Sequence, residues 1–297
     1  MKLKIPLYNR QTKKIENECI FEVSFMTFVY DTYFGSLLEK LIFKRIWFSK
    51  IYGKIQKSER SKHKITEFIK KYKIDISELD QSLEEYSNFN AFFIRKFKPN
   101  IRSINTEPKK LISPCDARLM VYPISNASDI KIKQNLYSVE QLLLSKKSAK
   151  EYSEGVCLVY RLAPMDYHRF VYFDDGQESE LVNVNGYLHS VSPIAQKKIT
   201  RVFSENVRQY SVLKTRNFGH VIQIDVGAMV VGKIKQHKIT GGDFMRGEEK
   251  GYFEFGGSTI VLLFKKECIK VDKDIAEQSL ENIETLVKMG EVVGQIY

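Results

Sequence analysis

The stretch with the clearest chemical potential is Gly251 to Phe264, GYFEFGGSTIVLLF, in which two glycines precede Ser258 and Thr259. Glycine lets the backbone take positive φ and gives a nucleophile close access to a carbonyl. Read alone, the four residues GGST also fit a plain turn leading into an apolar strand. Asp116 follows Pro114 and could be a reactive carboxylate or a turn carboxylate capping backbone N–H groups. His168, between Tyr167 and Arg169, could be a proton carrier or a structural histidine. Cys19, Cys115, Cys157 and Cys268 lie far apart without a CxxC pair, which argues against a zinc cluster and a disulfide framework. The five histidines show no HExxH or other metal-ligand spacing, so no metal is expected.

These residues must be positioned by two kinds of structure. From about residue 20 to 98 apolar positions recur at helical spacing. Beyond residue 110 the texture changes to short apolar runs such as KLISP, GVCLVYRLAP, HVIQIDVGAMVVGKI and STIVLLF, broken by Gly, Pro and Asp, which predicts β-structure. Further helices are expected over Ser138 to Lys147 and around Ala276 to Met289, the latter stopped by Gly290. Strands do not alternate with helices of adequate length, so a parallel βαβ fold fits poorly. The expected class is α+β, with a helical region over residues 1–105 followed by a β-rich body over residues 106–297.

The formal net charge of +11 points to an anionic partner. Residues 40 to 73 hold twelve Lys or Arg against only Glu59 and Glu67, so nearly all the excess is local. Phe25, Phe28, Tyr33, Phe34, Leu41, Trp47 and Ile51 lie in or beside the same stretch. Aromatic and aliphatic groups beside cations suit a helix lying in a membrane interface. They equally suit an appendage that packs its apolar side chains onto the body and leaves its lysines solvated. No run of about 18 apolar residues lacks charges, so no spanning helix is expected; the first residues, MKLKIPLYNRQTKK, have no apolar core of a signal peptide. No zinc-finger spacing, RNP-like sequence or other module supports a nucleic-acid partner.

Five stretches, in order, resemble the phosphatidylserine decarboxylase family. They are Phe89 to Pro99 with Arg102 following (FFxRxxKP), Ser113 to Ala117 (SPCDA), Tyr160 to Arg169 (YRLAPMDYHR), Val226 to Ile234 (VGAMVVGKI) and Glu248 to Thr259 (EEKGYFEFGGST). The resemblance implies a proenzyme that cuts itself between Gly257 and Ser258, leaving chains of residues 1–257 and 258–297. Ser258 Oγ can attack the Gly257 carbonyl through a five-membered ring; the resulting ester eliminates to dehydroalanine, which hydrolyses to a pyruvoyl group. That group is the cofactor the resemblance implies, and it acts as an electron sink in the decarboxylation of phosphatidylserine to phosphatidylethanolamine. Such an attack needs a base, an orienting carboxylate and oxyanion donors. The match assigns these roles to Asp116 and a histidine of the DYHR segment, with His168 also as the acid of decarboxylation, and suggests substrate contacts at Tyr167 and His189.

The chain departs from the family at a telling place. The family reads DYHRxH, whereas Asp166 to Val171 reads DYHRFV, so Val171 stands at the position commonly assigned as base of the self-cleavage triad. Either His168 serves both steps, or another group such as His189 reaches the site, or maturation is slow or absent. In the last case the chain would be a non-processed, non-catalytic lipid-binding relative. Ala117 stands where the family prefers glycine, and Gln134 where a Lys-Gly pair is usual. A lipid substrate gives the basic aromatic stretch a purpose, and the expected location is peripheral, on the anionic cytosolic face of the cell membrane.

Overall fold

The structure, a computed structural model, describes residues 5–132, 135–229, 233–256 and 258–297. Gly257 of the expected cleavage site, Gln134, and Val230, Val231 and Gly232 of the VGAMVVGKI stretch lie outside the described residues.

A large sheet forms the body. Its strands are β1 (Pro6–Asn9), β2 (Lys14–Asn17), β3 (Ala117–Pro123), β4 (Val156–Leu162), β5 (Gly176–Glu178), β6 (Val182–Val184), β7 (Arg208–Thr215), β8 (His220–Gly227), β9 (Gly242–Phe244), β10 (Ser258–Phe264) and β11 (Glu284–Val287). Across the sheet they run β9-β5-β7-β8-β10-β4-β3-β11-β1-β2, with β6 beside β7. All these pairings are antiparallel except β1 with β11. STIVLLF becomes the central strand β10, buried along its whole length. Ile260, Leu262 and Phe264 enter a core with Leu119, Tyr160 and Phe170, while Val261 and Leu263 enter a second core with Met120, Val159 and Ile222. Burial on both faces explains why this strand reads as an unbroken apolar run rather than an alternating one.

Residues 20 to 98 are helical, as their spacing predicts. Helices α1 (Val23–Asp31), α2 (Tyr33–Leu38), α3 (Ile46–Gln56), α4 (Lys64–Tyr72) and α5 (Phe89–Phe93) are joined by short turns, one of them the π-helical turn Glu39–Phe43. Ile65, Phe68, Phe89 and Phe92 form an aromatic core that Phe255 of the body enters. Tyr33, Phe34, Leu41, Trp47, Ile51 and Ile55 instead face outward. The appendage therefore does not pack all its apolar side chains onto the body.

Three expectations need correction. The helix expected over Ala276 to Met289 is Lys273–Leu280, and β11 follows it. Asn282 takes a left-handed φ of 58°, which ends the helix and turns the chain into the slot between β3 and β1. The helix expected over Ser138 to Lys147 is two, Val139–Leu143 and Lys146–Glu151, broken at Leu144 with φ 54° and restarted by Ser145, whose side chain accepts from the Ser148 N–H. The hairpin of β1 and β2 lay outside the expected strands; it extends the sheet edge, and Arg10 at its turn binds Asp272, Asp274, Glu291 and the Val292 carbonyl. Ala117 has no positive φ and simply begins β3, so the missing glycine costs nothing there.

Candidate active site

Ser258 opens β10, paired with Gly227 of β8 and Leu162 of β4, and is fully buried. The strand that brings the chain to it, Glu249–Phe253, pairs with Arg169–Val171, and the Phe253 N–H donates to the His168 carbonyl. That pairing sets His168 beside the end of the strand leading to the GGST segment. Its Nδ1 lies 3.5 Å from Ser258 Oγ.

The tautomer follows from the other side of the ring. His168 Nε2 lies 3.1 Å from the Ala163 carbonyl, which can only accept, so Nε2 carries the proton and Nδ1 presents its lone pair to Ser258. The Ala163 turn is itself fixed: Asp166 Oδ2 accepts from the Ala163 N–H at 2.7 Å and pairs with buried Arg118. Phe93 stacks on the imidazole with ring centres 4.1 Å apart. Burial, aided by the positive charges of Arg95 and Arg118, pushes the His168 pKa down to about 3, so the ring is neutral throughout the physiological range.

Asp116 has a different neighbourhood. Arg102 donates to both carboxylate oxygens at 2.8 to 3.1 Å, Lys288 Nζ lies 3.3 Å away, and the Met289 N–H donates at 2.8 Å. Burial alone would raise its pKa, but Lys288, Arg102 and the Met289 N–H outweigh burial and hold the carboxyl below its ordinary value. Among the described residues no hydrogen bond links Asp116 to His168 or Ser258. The Val171 N–H donates to the Pro114 carbonyl at 2.9 Å, which places residue 171 beside the Asp116 turn rather than in the His168–Ser258 contact.

The other two candidates sit apart from the Ser258 hydroxyl. Tyr167 stacks on Phe97 at 4.1 Å, and burial pushes its phenol up to about 12. His189 Nδ1 lies 2.6 Å from Glu39 of the π-helical turn, and its Nε2 3.4 Å from Glu205, so it pins the helical region to the body. The next residues, Ser190 to Ser192, line a cavity of about 50 Å³ together with Glu18, Arg161, Pro164, Phe255 and Gly256. Sequence reasoning missed Arg95, Phe93, Lys288 and the Ala163 carbonyl as parts of this environment. Arg95 and Phe93 stood in the FFxRxxKP stretch and Ala163 in YRLAPMDYHR; Lys288 carried no signal, because only folding brings it here. Among the described residues no group of three His, Cys, Asp or Glu side chains is placed to hold a metal ion.

The arrangement can activate a hydroxyl next to a glycine-rich loop, since a neutral imidazole offers a lone pair to a buried serine. Comparison with known proteins points the same way. A family model described as phosphatidylserine decarboxylase matches residues 89–295. The chain is 47% identical over 293 residues to phosphatidylserine decarboxylase proenzyme 2 of Clostridium acetobutylicum, covering 99% of each chain. It is 43% identical over 291 residues to the phosphatidylserine decarboxylase proenzyme of Ruminiclostridium cellulolyticum, covering 98% of this chain and 97% of the relative. It is 42% identical over 292 residues to a proenzyme of the same description from Clostridium botulinum, covering 98% and 99%.

Proposed function

The chain belongs to the phosphatidylserine decarboxylase family, and from that premise we propose that it matures by cutting itself between Gly257 and Ser258 and works through a pyruvoyl group made from Ser258. Its activity is the decarboxylation of phosphatidylserine to phosphatidylethanolamine. The observation that carries the maturation reading is the 3.5 Å approach of Ser258 Oγ to the lone-pair nitrogen of a neutral, buried His168.

In the first step Oγ bonds to the Gly257 carbonyl carbon and the Gly257–Ser258 amide bond breaks. The Oγ proton passes by way of His168 to the departing nitrogen, which becomes an amine. Loss of the Ser258 Cα proton then expels the Gly257 carboxylate from Cβ and leaves dehydroalanine. Water replaces the nitrogen, releasing ammonia and leaving the pyruvoyl group on Thr259. No oxidant enters. Because His168 is a weak base, proton transfer is costly and slow maturation is expected. His168 thus takes the role that the family gives to the position of Val171, while Asp116, held by Arg102 and Lys288, contributes fixed charge near the turn.

The surroundings of Ser258 fit the pyruvoyl group. They are dry, Gly256 with φ 135° leaves the approach free of a side chain, and the adjacent cavity carries polar groups from Glu18, Arg161 and Ser190 beside apolar walls. Once formed, the group supplies a carbonyl that engages the substrate amine and draws off the electrons released with CO2. Arg161, paired with Glu18 and Glu284, and Ser190 border this small cavity. His168 would return to the carbon that loses CO2 the proton that its bare Nδ1 takes from the condensing amine, and His189, next in the chain to Ser190, supports the cavity wall.

A lipid substrate also fits the helical region. The outward apolar side chains of α2 and α3 alternate with Lys40, Arg45, Lys50 and Lys54, which supports docking on an anionic leaflet, on the cytosolic side if the chain is intracellular. No described helix is long and apolar enough to cross a membrane. Lys44 is spoken for: its ammonium sits 4.1 Å from the centre of the Tyr187 ring. A groove of about 510 Å³, lined by Phe21, Phe25, Phe48, Tyr52 and Phe68, runs to Phe255 beside Gly256 and supports an acyl-chain path from the surface toward Ser258.

Intact-mass spectrometry of the denatured protein beside Ser258→Ala tests the maturation. A small chain beginning at residue 258, lighter than its unmodified peptide by one ammonia and absent from the variant, is expected. A single uncut chain in both samples refutes the reading; cleavage gained by Val171→His would then locate the defect.

A further inference from the structure

The loop that carries the scissile bond is not braced by the body alone. Its three described residues, Glu254, Phe255 and Gly256, are gripped from the helical region. The Phe255 N–H donates to Asn90 Oδ1 of α5 at 3.1 Å, and Asn90 is buried. Lys57, just past α3, sets its ammonium 2.9 Å from both oxygens of Glu254. The Phe255 ring lies between Tyr52, stacked at 5.8 Å, Phe89 at 5.0 Å and Phe93 at 4.9 Å.

The same short helix reaches both reacting partners. Asn90 fixes the backbone two residues before Gly257, and Phe93, one turn on, stacks on the imidazole that faces Ser258. Asn88 caps the helix by accepting from the Ala91 N–H at 2.9 Å, which holds its first turn in place. A nucleophile and carbonyl react only from a narrow range of approach, and a misplacement of about 1 Å can cost about a hundredfold in rate. Beyond Asn90, Gly256 has the φ of 135° that glycine alone adopts readily, so little in the loop's own backbone would hold its conformation.

We propose that Asn90 is a positioning residue for self-cleavage: with Lys57 it holds the scissile loop against Ser258 and His168, making the helical region part of the maturation machinery as well as the lipid-facing surface. This rests on the maturation reading above. Asn90 does not touch the reacting atoms, and once the loop is cut it has no bond to orient. Its loss should therefore slow self-cleavage by a larger factor than it lowers turnover per mature site, where Asn90 only steadies Phe255 in the cavity wall.

The test follows self-cleavage of freshly made precursor by intact mass for wild type, Asn90→Leu, Asn90→Asp and Lys57→Gln, together with turnover normalised to pyruvoyl content and Tm in the Ser258→Ala background. Asn90→Leu, close in size but without an acceptor, should cleave about ten- to a hundredfold more slowly, whereas Asn90→Asp, which keeps the acceptor, should stay within about threefold of wild type. Lys57→Gln, at a half-exposed position that tolerates exchange, should slow cleavage at least about threefold. Wild-type rates in both Asn90→Leu and Lys57→Gln overturn the proposal. So does equal slowing by Leu and Asp that tracks an equal fall in Tm, since that is a folding defect. A wild-type chain that never cleaves brings down the maturation reading itself, which sets that failure apart from this one.

Discussion

Replacing His168 by glutamine should remove about 2 kcal/mol of the protein's acid sensitivity between pH 7.5 and pH 5. His168 is fully buried, and its pKa is lowered from 6.5 to about 3. A group whose folded pKa is depressed favours the native state fully above its unfolded pKa, and that stability is lost as pH falls from about 6.5 toward about 3, where the unfolded chain binds the extra proton. At pH 5 the unfolded imidazole lies about 1.5 units below its pKa, and at 1.36 kcal/mol per unit the native state loses about 2 kcal/mol relative to pH 7.5. This figure does not depend on the depressed value as long as it stays below about 4. Glutamine keeps an N–H for the Ala163 carbonyl and does not titrate. The assay is urea unfolding in the Ser258→Ala background, where the chain stays whole, at both pH values with and without His168→Gln. With an m-value of about 3 kcal/mol per M, the midpoint of the His168 protein should fall by about 0.7 M more than that of the glutamine variant. Equal losses in the two proteins, within about 0.5 kcal/mol, would show that His168 is not held neutral, and the lone pair assigned to Nδ1 would lose its basis.

Two further expectations test other parts of the structure. Lys250 and Glu178 form an ion pair buried inside the body, where Tyr172 and Ser211 also donate to the carboxylate; Glu178→Ala strands the ammonium and should cost about 3 kcal/mol in urea unfolding, and a loss under about 1 kcal/mol would show that Asp225 takes over as its partner. Exchanging Lys40, Arg45, Lys50 and Lys54 for Gln should weaken binding to phosphatidylserine-containing vesicles at low salt, at about 1 kcal/mol for each cation near the surface, and unchanged binding would rule out this face as the docking surface.

The periodicities that depend on local burial were legible from residue order. Helical spacing over residues 20 to 98 and apolar runs such as STIVLLF describe which face each element hides, and both appear where they were expected. The C-terminal tail was misread because Glu284 to Val287 is a strand only by virtue of lying between β3 and β1, and the hairpin of β1 and β2 likewise exists by joining that sheet's edge. Neither segment carries enough local preference to declare itself.

For the site, Ser258 after two glycines, the DYHR histidine and the valine at position 171 were singled out by the resemblance of five ordered stretches to the family; residue types alone left a plain turn and a structural histidine open. Tertiary structure alone decided which nitrogen of His168 faces Ser258, because that depends on the Ala163 carbonyl behind the ring. It also decided that Asp116 is tied to Arg102 and to Lys288, 172 positions further along the chain. The tautomer rests on a turn five residues back that sets the Ala163 carbonyl behind the ring, whereas charge state and the grip of Asn90 on the scissile loop arise from desolvation and from contacts between distant segments, which come into being only when the chain closes on itself.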